Sequence, residues 1–320
     1  MNLFASHAFL DTIARVYFPS RASLIDDHVI DGHTFRLLTV DGRGPVIRHP
    51  FLDMHEPLGS SAGSASNVVR WLPHVSHGLA PVEEFKSAPD RLSGAPTTRW
   101  EHFASWDDYL ELLRRRRVLR DDQRRRRRLE ELAGPLTFAA DDPGTDVLPT
   151  AFRWKSMQWR RMTVIDLFAQ APHREFFHQL RARGLLRAST LRAGGGLLAV
   201  WLGAVFERRW YGWIFAFNPD PALAKYSLGR QLLYRMLEES HRAGHEEFDF
   251  STGCEPYKLF FATDVRAIGP VGEPPVRYRF ERMIRECLRS APHAYETAKA
   301  LHGALRREVC RVRYGLFQRV

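Results

Sequence analysis

The chain has 320 residues, of which 44% are apolar and 12% aromatic, so it can bury more core than one average domain. It lacks an apolar run of the roughly 18 residues that a membrane helix needs, a signal-peptide pattern and paired cysteines; together these favour a cytoplasmic protein without a disulfide framework. Its net charge of +10 favours polyanionic partners such as nucleic acid, an acidic lipid surface or a phosphate-bearing cofactor.

The first hundred residues predict a helix followed by antiparallel strands. Ser6 can cap a helix over residues 6–18, whose apolar positions recur at helical spacing. Residues 20–50 predict an antiparallel meander, with turns at Asp31-Gly32 and Asp41-Gly42. Residues 67–100 contain short apolar runs broken by prolines, and the pattern does not predict how these runs pair.

A strongly basic helix is predicted next, capped by Ser105 and running to about residue 132. It carries the arginine runs Arg114–Arg117 and Arg124–Arg128. A solvated helix face is one interpretation of these runs, and a surface that binds an anionic membrane or RNA is the other. Five consecutive arginines surround a helix, so some of them must face solvent or a partner.

The second half alternates helices with strands. Helices are predicted at residues 148–162, 173–183 and 227–243, and strands at 136–139, 185–193, 197–206, 210–217, 247–250 and 265–268. Two basic amphipathic helices, at about 278–289 and 293–314, complete the order. We therefore expect an α+β protein with mixed, mostly antiparallel sheets in two lobes. The predicted divisions are an N-terminal lobe at 1–104, a helical connection at 105–172, a C-terminal lobe at 173–272 and C-terminal helices at 273–320.

One glycine-containing helix start stands out as an anion site. Ser227, Leu228, Gly229 and Arg230 open the helix at 227–243, where backbone N–H groups lack intrahelical partners and can hold a phosphate. Gly229 would allow close backbone approach, Ser227 could cap the helix, and Lys225 and Arg230 add positive charge. The alternative is a serine-capped amphipathic helix with a glycine required for packing.

These segments together resemble the GNAT-like acyl-CoA N-acyltransferases, in particular the CelD/BcsL type associated with cellulose and exopolysaccharide biosynthesis. The residues that carry the resemblance are Arg187-Ala188-Ser189-Thr190-Leu191, Phe217-Asn218-Pro219, Tyr226-Ser227-Leu228-Gly229-Arg230, Phe248-Asp249-Phe250 and Gly253-Cys254-Glu255-Pro256-Tyr257-Lys258. The chain is also similar to the Fem-type tandem transferases, which take amino acids from aminoacyl-tRNA. The resemblance implies tandem GNAT-like lobes and an acyl-CoA donor, with its pyrophosphate at Lys225 to Arg230.

The resemblance also implies roles for the polar cluster that follows the strand at 247–250. Acyl transfer to an amine needs a base, oxyanion donors and an acid for the leaving thiolate. Asp249 or Glu255 is the candidate base, and burial of Asp249 would raise its pKa. Tyr257 or Cys254 could supply the acid, and Lys258 could hold a phosphate or an acidic substrate group. Each of these residues also has a purely structural interpretation, such as Asp249 capping the Ser251-Thr252 turn.

Two further site predictions are less specific. Trp154 is a candidate for lining an acceptor pocket, although tryptophans at helical spacing are also typical of a core. The scattered histidines show no paired ligand spacing, so no metal site is predicted.

Three functions stay open at this point. The first is an N-acyltransferase that moves an acyl group from acyl-CoA to an amine, for example an amino sugar or another envelope precursor. The second is a Fem-type aminoacyl-tRNA-dependent transferase, for which the arginine-rich helix would bind RNA. The third is a non-catalytic binding protein with the same fold. Peripheral membrane attachment through the basic C-terminal helices is compatible with the first two.

Overall fold

The computed structural model describes residues 2–42, 44–60, 69–87, 93–116, 119–276 and 278–279. The two predicted C-terminal helices therefore lie almost entirely outside the described residues. Within these ranges the α-helices are α1 His7–Tyr17, α2 Val82–Ser87, α3 Trp106–Arg115, α4 Leu119–Ala133, α5 Val147–Arg161, α6 Ala171–Ala182, α7 Leu228–Arg242 and α8 Pro256–Phe261. The strands are β1 Ser23–Ile30, β2 His33–Val40, β3 Gly59–Ser60, β4 Trp71–Pro81, β5 Ser93–Arg99, β6 Leu136–Ala139, β7 Arg187–Ala193, β8 Gly196–Phe206, β9 Arg209–Phe217, β10 Glu247–Asp249 and β11 Asp264–Gly272.

The N-terminal segment forms a helix and a small antiparallel sheet, as predicted. The Ser6 hydroxyl accepts the Phe9 backbone N–H at 3.3 Å and caps α1. Strands β1 and β2 pair over their full length, and the turn between them places Asp31 and Gly32 at φ angles of 53° and 75°. Strand β3 completes this three-stranded sheet.

A second sheet of eight strands runs through the body of the molecule, in the order β4-β11-β5-β10-β9-β8-β7-β6. Its neighbours are antiparallel except for β9 and β10, which are parallel and are joined by α7. Helices cover both faces: α1, α5 and α6 pack on one, and α3, α4 and α7 on the other. The α+β prediction with a mixed, mostly antiparallel sheet flanked by helices is confirmed.

Strand β5 connects distant parts of the chain. It pairs with β10 on one side and with β11 on the other, so Thr97 stands opposite both Asp249 and Asp264. The Thr97 hydroxyl donates to the Phe248 carbonyl at 3.0 Å, across 151 residues of sequence. Strands from the predicted segment 1–104 thus complete the sheet of the predicted segment 173–272, while the proposed divisions themselves stay a prediction.

The basic segment forms two helices instead of the single helix predicted from residue 105 to about residue 132. Ser105 begins α3 with a capping box, in which it exchanges hydrogen bonds with Asp108. Helix α3 ends at Arg115 and α4 begins at Leu119, with residues 117–118 outside the described ranges. Helical periodicity continues across this junction in the sequence, so the pattern alone did not reveal it.

Candidate active site

The parallel strands β9 and β10 stay together only at their beginnings. Their pairing runs from Glu247 opposite Arg209 to Asp249 opposite Tyr211, after which β10 ends and β9 continues to Phe217. The chain leaves β9 through a short 3-10 turn and enters α7. The end of β10, the free part of β9 and the N-terminus of α7 therefore face one region of the molecule.

Ser227 begins α7 in a different way from the predicted cap. Its backbone has the left-handed conformation, φ 55° and ψ 49°, and its side chain makes no capping hydrogen bond. A capping residue normally has an extended backbone, which aims its oxygen at the N–H groups of the first turn. The Ser227 hydroxyl instead accepts a hydrogen bond from Arg125 of α4 at 2.6 Å. The capping prediction is wrong for this reason.

Gly229 is required by packing. A methyl group added to its Cα would overlap the ring of Phe215 from β9. Leu228 is buried in the core at 3% exposure, so only its backbone can contribute to an anion site. The close approach of Phe215 therefore supports the packing interpretation of Gly229. Phosphate contact by residues 227–230 stays a prediction.

Three cations surround the N-terminus of α7. Arg230 pairs with the buried Asp122 at 2.5 Å, Arg125 lies 3.8 Å from the same carboxylate, and the exposed Lys225 lies over the Tyr226 ring. Burial raises the pKa of Asp122, while Arg230 opposes that rise. Arg125 is a site candidate that the sequence did not single out, because a run of arginines does not reveal which member faces a neighbouring helix.

Asp249 is completely buried at the end of β10. One carboxylate oxygen, Oδ1, accepts the Ser251 backbone N–H at 2.7 Å, and burial raises the pKa of the group as expected. The other oxygen, Oδ2, is buried without a hydrogen-bond partner among the described residues. Through its contact with Ser251, Asp249 caps the turn. This is the structural interpretation of Asp249 that the sequence allowed beside a catalytic one.

A second carboxylate, Asp53, meets this turn from the N-terminal segment. The Ser251 hydroxyl donates a hydrogen bond to Asp53 Oδ2. Burial raises the pKa of Asp53 to about 6, although Ser251 and Lys258 oppose the rise. Asp53 lies in the part of the sequence between the two predicted strand regions, and nothing in its neighbours marked it as a site residue.

Glu255, Tyr257 and Lys258 surround the same turn. The buried Lys258 ammonium donates to the Thr252 carbonyl at 2.8 Å and pairs with Glu255 at 3.0 Å. Glu255 keeps 54% of its side chain exposed, and Tyr257 is 37% exposed. Burial, together with Glu255, raises the pKa of Tyr257 to about 12, which makes it a weak acid at neutral pH.

Lys155 of α5 is a further candidate that the sequence missed. Its ammonium donates to the Phe215 carbonyl of β9 at 3.0 Å and lies 5.3 Å from the centre of the Trp159 ring. Burial lowers its pKa to about 8, with Glu255 and Lys258 acting on it electrostatically. The neighbouring Trp154 packs in the core at 6% exposure.

A cleft of about 780 Å³ opens between the N-terminal segment and the turn after β10. We call it the Asp53 cleft; its lining includes Arg48, His49, Asp53, His74, Gly94 and Cys254. Asp53 is the carboxylate in this lining, and neither Trp154 nor Asp249 belongs to it. Burial raises the pKa of the Cys254 thiol, so Cys254 is not an activated nucleophile.

Several arginine side chains of α3 and α4 make contacts within the protein. The Arg116 guanidinium donates to the carbonyls of Phe260 and Ala262, both at 2.8 Å, and so satisfies the C-terminal end of α8. Arg124 pairs with Asp121, and Arg126 with Glu130. Arg127 and Arg128 are exposed. A partner for this surface stays a prediction.

Among the residues that the structure describes, no group of three His, Cys, Asp or Glu side chains is placed to hold a metal ion. None of the described helices combines the length and the apolar character needed to cross a membrane.

Comparison with known proteins supports the fold. Residues 114–259 match a family model described as an acetyltransferase (GNAT) domain. The crystal structure of FemX is similar to the chain, with a TM-score of 0.52 and 10% identity over 88% of this chain and 94% of FemX. L-PGS from Bacillus licheniformis gives a TM-score of 0.45 and 9% identity over 89% of this chain and 96% of its own.

A tandem GNAT protein from the clavulanic acid biosynthesis pathway gives a TM-score of 0.33 and 11% identity, covering 83% of this chain and 88% of that protein. No curated protein matched the sequence. The family match over residues 114–259 and the likeness to FemX show a GNAT fold, as the resemblance implied. Its likeness to FemX concerns the fold and not the reaction, and the CelD/BcsL type stays a prediction.

Proposed function

We propose that this GNAT-fold chain is an N-acyltransferase that binds an acyl-CoA at the N-terminus of α7 and an amine in the Asp53 cleft. One observation supports it: a continuous series of interactions joins the two sites. Gly229 packs on Phe215, the Phe215 carbonyl accepts from Lys155, and the charge of Lys258 lowers the pKa of both Lys155 and Asp53. A donor and an acceptor bound at the two ends of this series would meet near Lys155.

The reaction forms one bond and breaks one. The amine nitrogen attacks the thioester carbon, the C–S bond breaks, the nitrogen loses a proton to a base, and the CoA thiolate gains a proton from an acid. Asp53 suits the base because it lines the cleft and because its pKa of about 6 keeps it ionised at neutral pH yet basic enough to accept a proton. Asp249, the base predicted first, would act through Ser251 as a positioning residue, since its side chain is completely buried.

Lys155 suits the acid. Its ammonium lies at the free part of β9, and a pKa of about 8 is close to that of a thiol. Glu255 and Tyr257 are the alternative base and acid implied by the family resemblance, and Lys258 holds the turn that carries Ser251. In the donor site, Arg125, Lys225 and Arg230 would contact the phosphates together with the first amides of α7.

An aminoacyl-tRNA donor is the second candidate. The exposed Arg127 and Arg128 on α4 favour it, because they lie on the helix that carries Arg125 to the start of α7. A nucleic-acid partner would need such exposed cations beyond the donor site itself. The acceptor, whether an amino sugar or another envelope precursor, follows from the family resemblance only.

Calorimetric titration of the purified protein with acetyl-CoA, longer acyl-CoAs and free CoA tests the donor. We expect saturable binding that Arg125→Gln weakens about tenfold, the effect of one lost charge-assisted contact. Arg127→Gln, on the exposed face of the same helix, is the matched control and should bind CoA normally. Absence of binding to every CoA compound would reject the acyl-CoA donor.

The same two variants distinguish an aminoacyl-tRNA donor from an acyl-CoA donor. A tRNA that binds with steep salt dependence, and that is released by Arg127→Gln as much as by Arg125→Gln, would support the aminoacyl-tRNA donor. A folded protein that binds neither donor would support a non-catalytic role.

A further inference from the structure

The Asp53 cleft is lined by one half-buried carboxylate and by exposed cationic side chains. Asp53 is half-buried behind the turn at Ser251, whereas Arg48 and Lys86 are exposed and line the same cleft. His74 adds an exposed imidazole to this lining. A ligand that filled the cleft would therefore meet both a carboxylate and cationic side chains.

Arg48 is available for a ligand in a way that Arg124 and Arg126 of α4, which pair with Asp121 and Glu130, are not. Its guanidinium lies 5.9 Å from the centre of the Trp71 ring and 6.0 Å from that of the Tyr278 ring. Stacking on aromatic rings fixes the guanidinium while leaving its N–H donors open at the edge of the plane. Within the described ranges no carboxylate lies within ion-pair distance of Arg48, in contrast to Arg124 or Arg126.

Asp53 provides the complementary end. The Ser251 hydroxyl donates to its Oδ2, and an ammonium group would neutralise the partly desolvated carboxylate. A purely cationic ligand would leave Arg48 facing it with like charge, and a purely anionic ligand would repel Asp53. A neutral ligand would lose both interactions.

We propose that the Asp53 cleft binds an amine that also carries an anionic group, a phosphate or a carboxylate, with the ammonium at Asp53 and the anionic group at Arg48. This inference rests on the proposed function, because it takes the cleft as the acceptor site. It narrows the acceptor from any amine to an amine of this zwitterionic class. The volume of about 780 Å³ exceeds what a small zwitterion fills, so the full acceptor extends beyond these two groups.

Calorimetry without any acyl donor tests the proposal with four short probes: O-phosphoethanolamine, β-alanine, ethanolamine and ethyl phosphate. We expect the two zwitterions to bind at least about tenfold more tightly than ethanolamine or ethyl phosphate. O-phosphoethanolamine and β-alanine distinguish a phosphate group from a carboxylate. Equal binding of all four probes, or tightest binding of ethanolamine or ethyl phosphate, would overturn the zwitterionic assignment.

Variants tie the binding to the two named residues. Arg48→Gln and Asp53→Asn should each weaken zwitterion binding about tenfold, whereas Arg48→Lys, which keeps the charge, should retain most of it. Arg242→Gln removes a cation from an exposed pair at the far end of α7 and is the matched control. Unchanged binding in folded Arg48→Gln, judged by circular dichroism, would also overturn the assignment.

Acyl transfer is then measured separately with the same probes. If the zwitterions bind but receive no acyl group from any donor, the zwitterionic ligand class is supported and the N-acyltransferase function is rejected. If ethanolamine is acylated as fast as the zwitterions, the N-acyltransferase function is supported and the zwitterionic class of acceptor is rejected.

Discussion

The hydroxyl of Ser251 donates a hydrogen bond to the carboxylate of Asp53, which lies 198 residues earlier in the chain. The backbone N–H of Ser251 donates to Asp249 at 2.7 Å. One residue thereby connects a carboxylate in the cleft with a completely buried carboxylate at the end of β10. Ser251 has a positive φ of 63°, the conformation that lets its N–H and its hydroxyl serve both carboxylates.

The pH dependence of acyl transfer should report Asp53 and Lys155. The base must be ionised and the acid protonated, so kcat/KM should rise through about pH 6 and fall through about pH 8. Asp53→Asn should lower kcat/KM by about 100-fold and remove the acidic limb, and Lys155→Gln should remove the basic limb. Asp107→Asn, an exposed carboxylate of α3, is the control. A profile that keeps its acidic limb in Asp53→Asn would exclude Asp53 as the base.

Loss of the Ser251 hydroxyl should move the acidic limb to higher pH. Its hydrogen bond stabilises ionised Asp53 and so lowers the pKa of that group, and removing it raises the pKa. Ser251→Ala removes the hydroxyl and keeps a Cβ at the positive φ of this residue, as serine does, whereas Ser251→Gly removes both the hydroxyl and the Cβ. The same shift in both variants would identify the hydroxyl as the cause, whereas a shift in Ser251→Gly alone would indicate a backbone effect.

Asp53 should also make stability depend on pH. Its folded pKa of about 6 exceeds the ordinary value of 3.8, so the folded protein binds more protons between these values. The contribution of Asp53 to stability is therefore complete below pH 3.8 and is lost as the pH rises through 6. Relative to Asp53→Asn, the wild-type protein should lose up to about 3 kcal/mol between pH 4 and pH 7.5. Urea denaturation at both pH values measures it, and parallel curves for the two proteins would contradict it.

Gly229→Ala should destabilise the fold by about 1–3 kcal/mol, because the new methyl group must displace the Phe215 ring. Urea denaturation measures this effect. Gly196→Ala is the matched control, since a methyl group there meets only the Ala193 carbonyl at the ordinary distance of 3.5 Å. Equal stability of Gly229→Ala and the wild-type protein would show that residue 229 has room for a side chain and would restore the anion-contact interpretation of the glycine.

Arg116→Gln should destabilise the protein by about 1–3 kcal/mol, because the carbonyls of Phe260 and Ala262 lose a charged donor. Arg115→Gln, one residue earlier and exposed, should change the free energy of unfolding by less than about 0.5 kcal/mol. Denaturation of both variants is the test. If both variants change the free energy of unfolding equally, Arg116 does not stabilise α8 and is one more residue of the exposed basic surface.

The elements of the C-terminal half could be read from the sequence because their signals are local. Strands β7, β8 and β9 alternate or run apolar between turns, and the boundaries of α5, α6 and α7 fall within two residues of those expected. Serine caps were predicted at three helices and found at two. Ser227 failed because its backbone conformation and its contact with Arg125 depend on how α4 packs against α7.

The sequence by itself determined the GNAT-type order of helices and strands, because periodicity, turns and caps act over a few residues, whereas the residues of the site stay a prediction. Only the tertiary structure decided that β5 lies between β10 and β11, that Asp249 is buried, and that Asp53 meets Ser251 in a cleft that Arg48 also lines. These relationships depend on contacts across 100 to nearly 200 residues, as between Arg125 and Ser227 or Asp53 and Ser251. The spacing of residues in the sequence does not predict such contacts, because they form only when the two halves of the chain bury their apolar faces against one sheet.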